Sequence, residues 1–104
     1  MDRFPDLAAV RTAIDALDAE LVALLARREQ LVRAAARFKT NAAAVRAPDR
    51  VEQVVARARS LAAARGASPE VAERVYRAMI AAYVELELSA AAVREDGTAG
   101  SSSP

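Results

Sequence analysis

The chain lacks three side chains on which much protein chemistry depends, because cysteine, histidine and tryptophan are all absent from its 104 residues. Without cysteine there is no disulfide framework, iron–sulfur cluster or thiol nucleophile. Without histidine there is no imidazole base, and a zinc site is not expected. Polar chemistry must therefore come from carboxylates, from 14 arginines and from a single lysine, Lys39.

Two further absences concern where the protein works. No uncharged run approaches the length of a membrane span, and the first residues, Met1-Asp2-Arg3-Phe4, lack the basic and then apolar pattern of a signal peptide. We therefore expect a soluble cytoplasmic protein with no membrane partner. Hydrophobic residues form 54% of the chain, but 28 of them are alanine, so the larger apolar side chains suffice for one small core.

The first forty residues predict one very long helix. No glycine precedes Gly66, and good helix formers dominate. The pattern predicts a helix from about Pro5 to about Thr40, roughly 50 Å long. Such a helix overhangs any compact fold of the remaining chain, so we expect a second copy to cover its far end. The apolar residues recur in steps of three and four, as in a heptad repeat: Leu7, Val10, Ile14, Leu17, Leu21, Leu24, Leu31, Ala35 and Phe38.

Two further helices are predicted after a connector at residues 41–47. Pro48 followed by Asp49 is typical of a helix start, and Gly66 is well placed as the C-terminal cap of that helix. Ser68-Pro69-Glu70 combines a capping residue, a proline and an acid, and so predicts the start of the third helix.

The predicted fold class is all-α, with three helices per chain, because nothing in the sequence indicates a strand. We place the helical domain at residues 1–88. Residues 89–104 are rich in small and polar residues, and we expect them to form a disordered tail.

Three cations interrupt or flank the apolar seam of the first helix. Arg28 takes a core heptad position, where a buried charge needs a partner. Arg11 and Lys39 share one flanking position, four heptads apart. Flanking cations commonly form salt bridges between helices, and this interpretation stays open for both.

The third helix carries one acid on an otherwise apolar stripe. Glu87 follows Ile80, Tyr83 and Val84 at helical spacing. Its sequence position allows three interpretations: a structural partner for Arg28, an acid near the helix end that reaches water, or a carboxyl group that takes part in chemistry.

Charge is distributed unevenly along the chain. Residues 27–50 hold seven cations and two acids, whereas residues 67–96 hold three cations and six acids. A cluster of arginines with one lysine suits a small ligand with several carboxylates or phosphates. The formal net charge of +1 and the lack of a nucleic-acid motif argue against a nucleic-acid partner.

The sequence also lacks the signals of covalent and cofactor chemistry. It has no glycine-rich phosphate loop, no carboxylate cluster for a metal and no pairing of a nucleophile with a base. We therefore expect neither a cofactor nor a metal, and an enzyme built from these residues would act by electrostatics and positioning.

Four short motifs resemble the all-helical AroQ class of chorismate mutases, and two of them are closest to its isochorismate-pyruvate lyase branch. The resemblance covers about residues 7–88, and the order and spacing of the motifs make it specific. The two closest to the lyase branch are Arg37-Phe38-Lys39 and Ala47-Pro48-Asp49-Arg50-Val51; the others are Val10-Arg11-x-x-Ile14-Asp15-x-x-Asp18 and Leu24-Leu25-x-Arg27-Arg28.

This resemblance implies an intertwined homodimer with two equivalent active sites. Arg28, Lys39 and Arg50 would belong to one subunit's site, and Arg11 would reach in from the other. In the family, the arginines hold the two carboxylates of chorismate. The lysine that matches Lys39 contacts the ether oxygen and a carboxylate, and the residue that matches Glu87 is a second donor to that oxygen.

Two departures from the family pattern leave the reaction open. Many of these mutases have glutamine where this chain has Glu87, and a carboxyl group must be protonated to donate. Typical mutases bind the ring hydroxyl with acids at the positions of Ala47 and Val51, which cannot do so. We expect a chorismate mutase; the alternatives are an isochorismate-pyruvate lyase that releases salicylate and pyruvate, and a non-catalytic helical dimer.

Overall fold

A computed structural model describes the backbone of residues 3–101 and the side chains of residues 3–91. That part of the chain contains no strand, which confirms the all-α class. None of the helices within it is long and apolar enough to cross a membrane. The helices are α1 (Leu7–Ala36), α2 (Ala42–Arg46), α3 (Pro48–Ala64) and α4 (Pro69–Ser101).

Helix α1 is the long first helix that the heptad pattern predicts. It begins after Asp6, whose Oδ1 accepts a hydrogen bond from the Ala9 N–H at 2.9 Å. Its 30 residues correspond to about 45 Å. Most of the large seam side chains are about half exposed or more, including Ile14 at 50% and Leu31 at 70%, whereas Val10 is half-buried.

The C-terminal end of α1 comes a few residues earlier than the predicted end near Thr40. The chain leaves the helix at Ala36 through a tight turn, in which the Phe38 N–H donates to the Ala35 carbonyl at 3.0 Å. The Lys39 N–H donates to the Ala36 carbonyl at 3.1 Å. This turn fixes the backbone of Lys39 directly after the helix.

The predicted connector at residues 41–47 is in fact the short helix α2. The Asn41 side chain caps it by accepting a hydrogen bond from the Ala44 N–H at 2.8 Å. Ala47 ends it in the left-handed conformation, with φ 37°, and its N–H donates to the Ala43 carbonyl at 2.9 Å. Asn41 is a favoured N-cap residue and indicates the start of this helix. The helix is nevertheless too short, at five residues, to show an apolar periodicity in the sequence.

The predicted boundaries of α3 are confirmed. Pro48 is its first residue, and Asp49 lies in the first turn, near the positive end of the helix dipole. Beyond its C-terminal end, Gly66 adopts φ +77°, which glycine tolerates without strain. The Ala67 N–H then reaches the Ala62 carbonyl at 2.8 Å and closes the helix end.

Helix α4 packs against α3 along small buried residues of α3, namely Val55, Ala58 and Ala62. It starts at Pro69, after the predicted cap Ser68. The backbone remains helical beyond residue 88, as far as Ser101. The side chains beyond residue 91, which would test the predicted disordered tail, lie outside the described residues, and that expectation stays a prediction.

An ion-pair network joins α3 to α4. Arg77 holds both carboxylate oxygens of Glu52, at 2.8 and 2.9 Å, and donates through Nε to Glu73 at 2.7 Å. Arg59 donates to Glu73 at 2.9 Å and lies 3.8 Å from Glu70. Hydrogen bonds from Arg77 lower the pKa of the Glu52 and Glu73 carboxyl groups. Sequence reasoning missed this network, although the spacing of Glu73 and Arg77 signals one of its pairs.

Candidate active site

The structure brings two of the candidate residues, Lys39 and Glu87, into direct contact. Lys39 Nζ lies 3.2 Å from Oε1 and 3.1 Å from Oε2 of Glu87. Glu87 is only 7% exposed, and the Lys39 side chain is 26% exposed. Glu87 is therefore not a helix-end acid that reaches water, and its described ionic partner is Lys39.

This contact places a positive charge and a negative charge at a partly buried point. A buried carboxylate is costly unless a cation and hydrogen bonds satisfy it, and the ammonium provides both. Two of the three N–H bonds of Lys39 serve Glu87, which leaves the third for an acceptor outside the pair. The pair can therefore present a hydrogen-bond donor to a ligand at a fixed position.

Arg50 lies on the first turn of α3, in the same compact unit as Lys39 and Glu87. Its Nη1 donates to Gln53 Oε1 at 2.7 Å, so the guanidinium is held along the helix surface. The rest of the guanidinium remains exposed and available to an anion.

The other two candidate arginines, Arg11 and Arg28, both lie on α1. Arg28 is half-buried and Arg11 is exposed. The structure does not bring them together, because they are 17 residues apart on one helix, or about 25 Å along its axis.

An open cavity of about 450 Å³ lies between α2, α3 and α4. Its lining is mostly apolar, and Val51, Ile80 and Val84 contribute to it. Leu88 also faces the cavity, whereas Glu87 is one residue away, or about 100° of helical rotation. The cavity therefore borders the stripe of α4 that carries Glu87, because Ile80 and Val84 belong to that stripe and line the cavity, although Glu87 itself is not among the lining residues.

The expected departures from the family pattern are visible in this part of the structure. Val51 lines the cavity with an apolar side chain. Ala47, which adopts the left-handed conformation between α2 and α3, has only a methyl side chain. Neither can accept a hydrogen bond from a hydroxyl group through its side chain. Among the described residues, no group of three or more carboxylates could hold a metal ion.

Comparison with known proteins adds two findings to this geometry. A family model described as chorismate mutase type II matches residues 10–88. Over 78 residues, the chain is 36% identical to the isochorismate pyruvate lyase of Pseudomonas aeruginosa, and the alignment covers 75% of this chain and 77% of that protein. The range matched by the family model contains every candidate site residue, from Arg11 to Glu87.

Proposed function

The chain belongs to the type II chorismate mutase family, and we propose that it catalyses the rearrangement of chorismate to prephenate. In this pericyclic reaction, an ether C–O bond breaks while a C–C bond forms, and negative charge builds on the ether oxygen. The reaction needs no base, nucleophile or metal. The observation that carries the proposal is the Lys39–Glu87 pair, because it fixes an ammonium donor at a partly buried point.

In the proposed reaction, Lys39 donates a hydrogen bond to the ether oxygen as charge develops there. A donor that is already in place needs no reorganisation during the reaction, and loss of one such donor typically costs about 3–4 kcal/mol of transition-state stabilisation. Glu87 acts in the protonated state as a second donor to the same oxygen. In the ionised state its carboxylate would repel the developing charge.

The two carboxylates of the substrate bind the arginines. Arg28 and Arg50 come from the subunit that supplies Lys39, and Arg11 comes from the partner subunit. Guanidinium groups bind carboxylates through two parallel hydrogen bonds, so they hold the substrate in its folded, reactive form.

The site proposed here requires a homodimer. Arg11 and Arg28 of one chain are about 25 Å apart along α1, so one small ligand can bind both only when they come from different copies. The exposed apolar seam of α1 supports this assembly, because Leu17 at 56% and Leu24 at 58% exposure can be buried by a second copy of the helix.

A second candidate reaction is the elimination of pyruvate from isochorismate to give salicylate. Two observations favour it: the identity to an isochorismate pyruvate lyase, and the apolar residues Ala47 and Val51 where the family pattern has acids for the ring hydroxyl. The reaction breaks the same kind of ether bond, so Lys39 would serve it in the same way.

One assay with both substrates tests the proposal. We expect loss of chorismate absorbance without pyruvate release, and loss of that activity in Lys39→Ala but not in Arg33→Ala. Arg33 is an exposed cation of α1 paired with Glu29 at 3.0 Å, which makes it a suitable control. Salicylate fluorescence with isochorismate and no turnover of chorismate would instead support the lyase. Full activity of Lys39→Ala would overturn both reactions, and absence of any turnover would support a non-catalytic dimer.

A further inference from the structure

We propose that Phe38 is a positioning residue for Lys39, and that Leu7 of the partner subunit holds its ring in place. The inference rests on the homodimer of the proposed function and adds a contact beside the site. Among the described large hydrophobic side chains, Phe38 has the greatest exposed fraction, 84%. It directly precedes Lys39, so a group that covers its ring also constrains the backbone of Lys39.

Phe38 extends the apolar seam of α1 beyond the last residue of the helix. The N–H groups of Phe38 and Lys39 donate to carbonyls three residues earlier, at 3.0 and 3.1 Å, which is the pattern of the tight turns that often follow an α-helix. This turn keeps the helical sense, and Phe38 follows Leu31 by seven residues. The exposed ring is therefore the last member of the seam and not an isolated apolar residue.

The seam favours an antiparallel pairing of α1 with its copy. In a parallel pair related by a twofold axis, each seam residue meets its own copy, so Arg28 would face Arg28 of the partner subunit at a core position. Two like charges at such a position are costly. In an antiparallel pair, Arg28 faces an apolar seam residue instead.

One antiparallel register gives every seam residue a partner. A shift by one heptad in either direction leaves two residues at one end of the seam unpaired. The facing pairs of the favoured register, with one residue from each subunit, are Leu7–Phe38, Val10–Ala35, Ile14–Leu31, Leu17–Arg28 and Leu21–Leu24.

This register also meets two conditions that did not enter its choice. Glu20 and Arg27 share one flanking heptad position and come within two residues of facing each other, so opposite charges meet on both sides of the twofold axis. Arg11 of the partner subunit falls between the levels of Arg28 and Lys39, six residues from the first and five from the second. These offsets correspond to about 9 and 8 Å along the helix, so one small ligand can reach all three cations.

The pairing of Leu7 with Phe38 closes the end of the seam next to Lys39. The two side chains are 60% and 84% exposed in the single chain, and their contact removes apolar surface from water. It also fixes the turn that carries Lys39, and thereby the place of the ammonium relative to a ligand. A misplacement of a catalytic group by about 1 Å can lower a rate on the order of 100-fold.

Disulfide trapping tests the contact, and the chain suits the method because it contains no cysteine. Leu7→Cys combined with Phe38→Cys should give a covalent dimer on oxidation, because facing seam residues lie close enough to be bridged. Within one chain the two positions are about 45 Å apart along α1, so the bond can form only between copies. The matched control is Leu7→Cys combined with Leu31→Cys, which lies one heptad away and should stay unlinked.

The trapping outcomes separate this inference from the proposed function. A disulfide in the control pair, or in neither pair of a dimeric protein, would overturn the contact of Leu7 with Phe38 and leave a shared site possible. A chain that is monomeric at every concentration in sedimentation would overturn the proposed homodimer as well.

Phe38→Ala tests the positioning role, with turnover measured at concentrations where sedimentation shows a complete dimer. We expect kcat to fall on the order of tenfold while KM stays within about twofold, because Lys39 acts mainly in the transition state. Phe38→Leu keeps an apolar seam residue and should restore most of kcat. Leu24→Ala, at the middle of the seam, should weaken the dimer but leave the kcat of the dimer unchanged.

The kinetic outcomes are equally distinct. Unchanged kcat in Phe38→Ala would overturn the positioning role and leave the proposed reaction standing. An equal loss of kcat in the dimers of Phe38→Ala and Leu24→Ala would also overturn it, because the loss would then follow from the seam in general. Absence of turnover of chorismate and isochorismate by the unaltered chain would overturn the proposed function together with the positioning role.

Discussion

Arg11 and Arg28 lie on one uninterrupted helix, 17 residues and about 25 Å apart along its axis. The proposed function assigns both to the binding of one small dianion. One small dianion can contact both arginines only if Arg11 and Arg28 come from two different chains. In the proposed homodimer, the length of α1 would set the distance between the two shared sites.

Mixing two inactive variants tests this sharing of sites. Arg11→Ala and Lys39→Ala should each be inactive as homodimers, but a hybrid dimer has one site that receives neither substitution. Random exchange of subunits should therefore restore about a quarter of the full activity, since half the dimers are hybrids and each has one intact site.

The control for this experiment is a mixture of Arg28→Ala and Lys39→Ala. Both residues are assigned to the same subunit's site, so every site in the hybrid carries one substitution and activity should stay lost. Equal recovery in both mixtures, measured as chorismate turnover after refolding together, would contradict the shared site.

Replacement of Lys39 by arginine should remove most of the activity although it keeps the charge. The planar guanidinium is larger than the ammonium and cannot approach the ether oxygen from the same position beside Glu87. We expect a fall in kcat/KM on the order of 100-fold, the usual effect of losing one aligned donor. Thermal unfolding measured alongside should show a folded variant, and retention of full kcat/KM would contradict the role assigned to Lys39.

Ala47→Gly should stabilise the protein by about 0.5–1 kcal/mol, because glycine adopts positive φ without the steric cost of a Cβ. Ala47 is the described non-glycine residue with positive φ, at 37°. Ala44→Gly, in the middle of α2, is the opposite control and should destabilise by about 0.5–1 kcal/mol. Urea unfolding measures both, and a loss of stability in Ala47→Gly would show that the flexibility added to the unfolded chain outweighs the relief of strain.

The ion-pair network of Arg77 should contribute to stability above acidic pH and lose that contribution in acid. Arg77 lowers the pKa of the Glu52 and Glu73 carboxyl groups in the folded state. Groups with a lowered pKa stabilise the fold above their unfolded value of about 4.5 and lose this effect as the pH falls through the lower folded value. The free energy of unfolding should therefore decrease in acid.

Arg77→Gln should flatten this decrease, because both carboxyl groups would lose the donor that lowers their pKa. Arg74→Gln is the matched control, since Arg74 is exposed on the same helix. Urea unfolding between about pH 3 and pH 6 measures the slope. Identical slopes for the two variants would show that the network does not couple stability to pH.

Local signals in the sequence were sufficient for the helices. Pro48 and Pro69 begin α3 and α4, and Gly66 lies just beyond the end of α3, as predicted. These features depend on residues within a few positions of each other, where backbone conformation and capping hydrogen bonds decide the outcome. The short α2 was missed because a single capped turn has no apolar periodicity to reveal it.

The sequence by itself determined the all-α class and the apolar heptad pattern of α1. It also supplied the charged candidate residues, which are the arginines, the single lysine and the one acid on the apolar stripe of α4. Only the tertiary structure decided that Glu87 pairs with Lys39, 48 residues away, and that Arg77 holds Glu52, 25 residues away. The reason is physical: helix formation follows from neighbours along the chain, whereas a contact between distant residues depends on how the helix faces pack. The rarity of lysine drew attention to Lys39, and the packing of α4 showed which charge it meets.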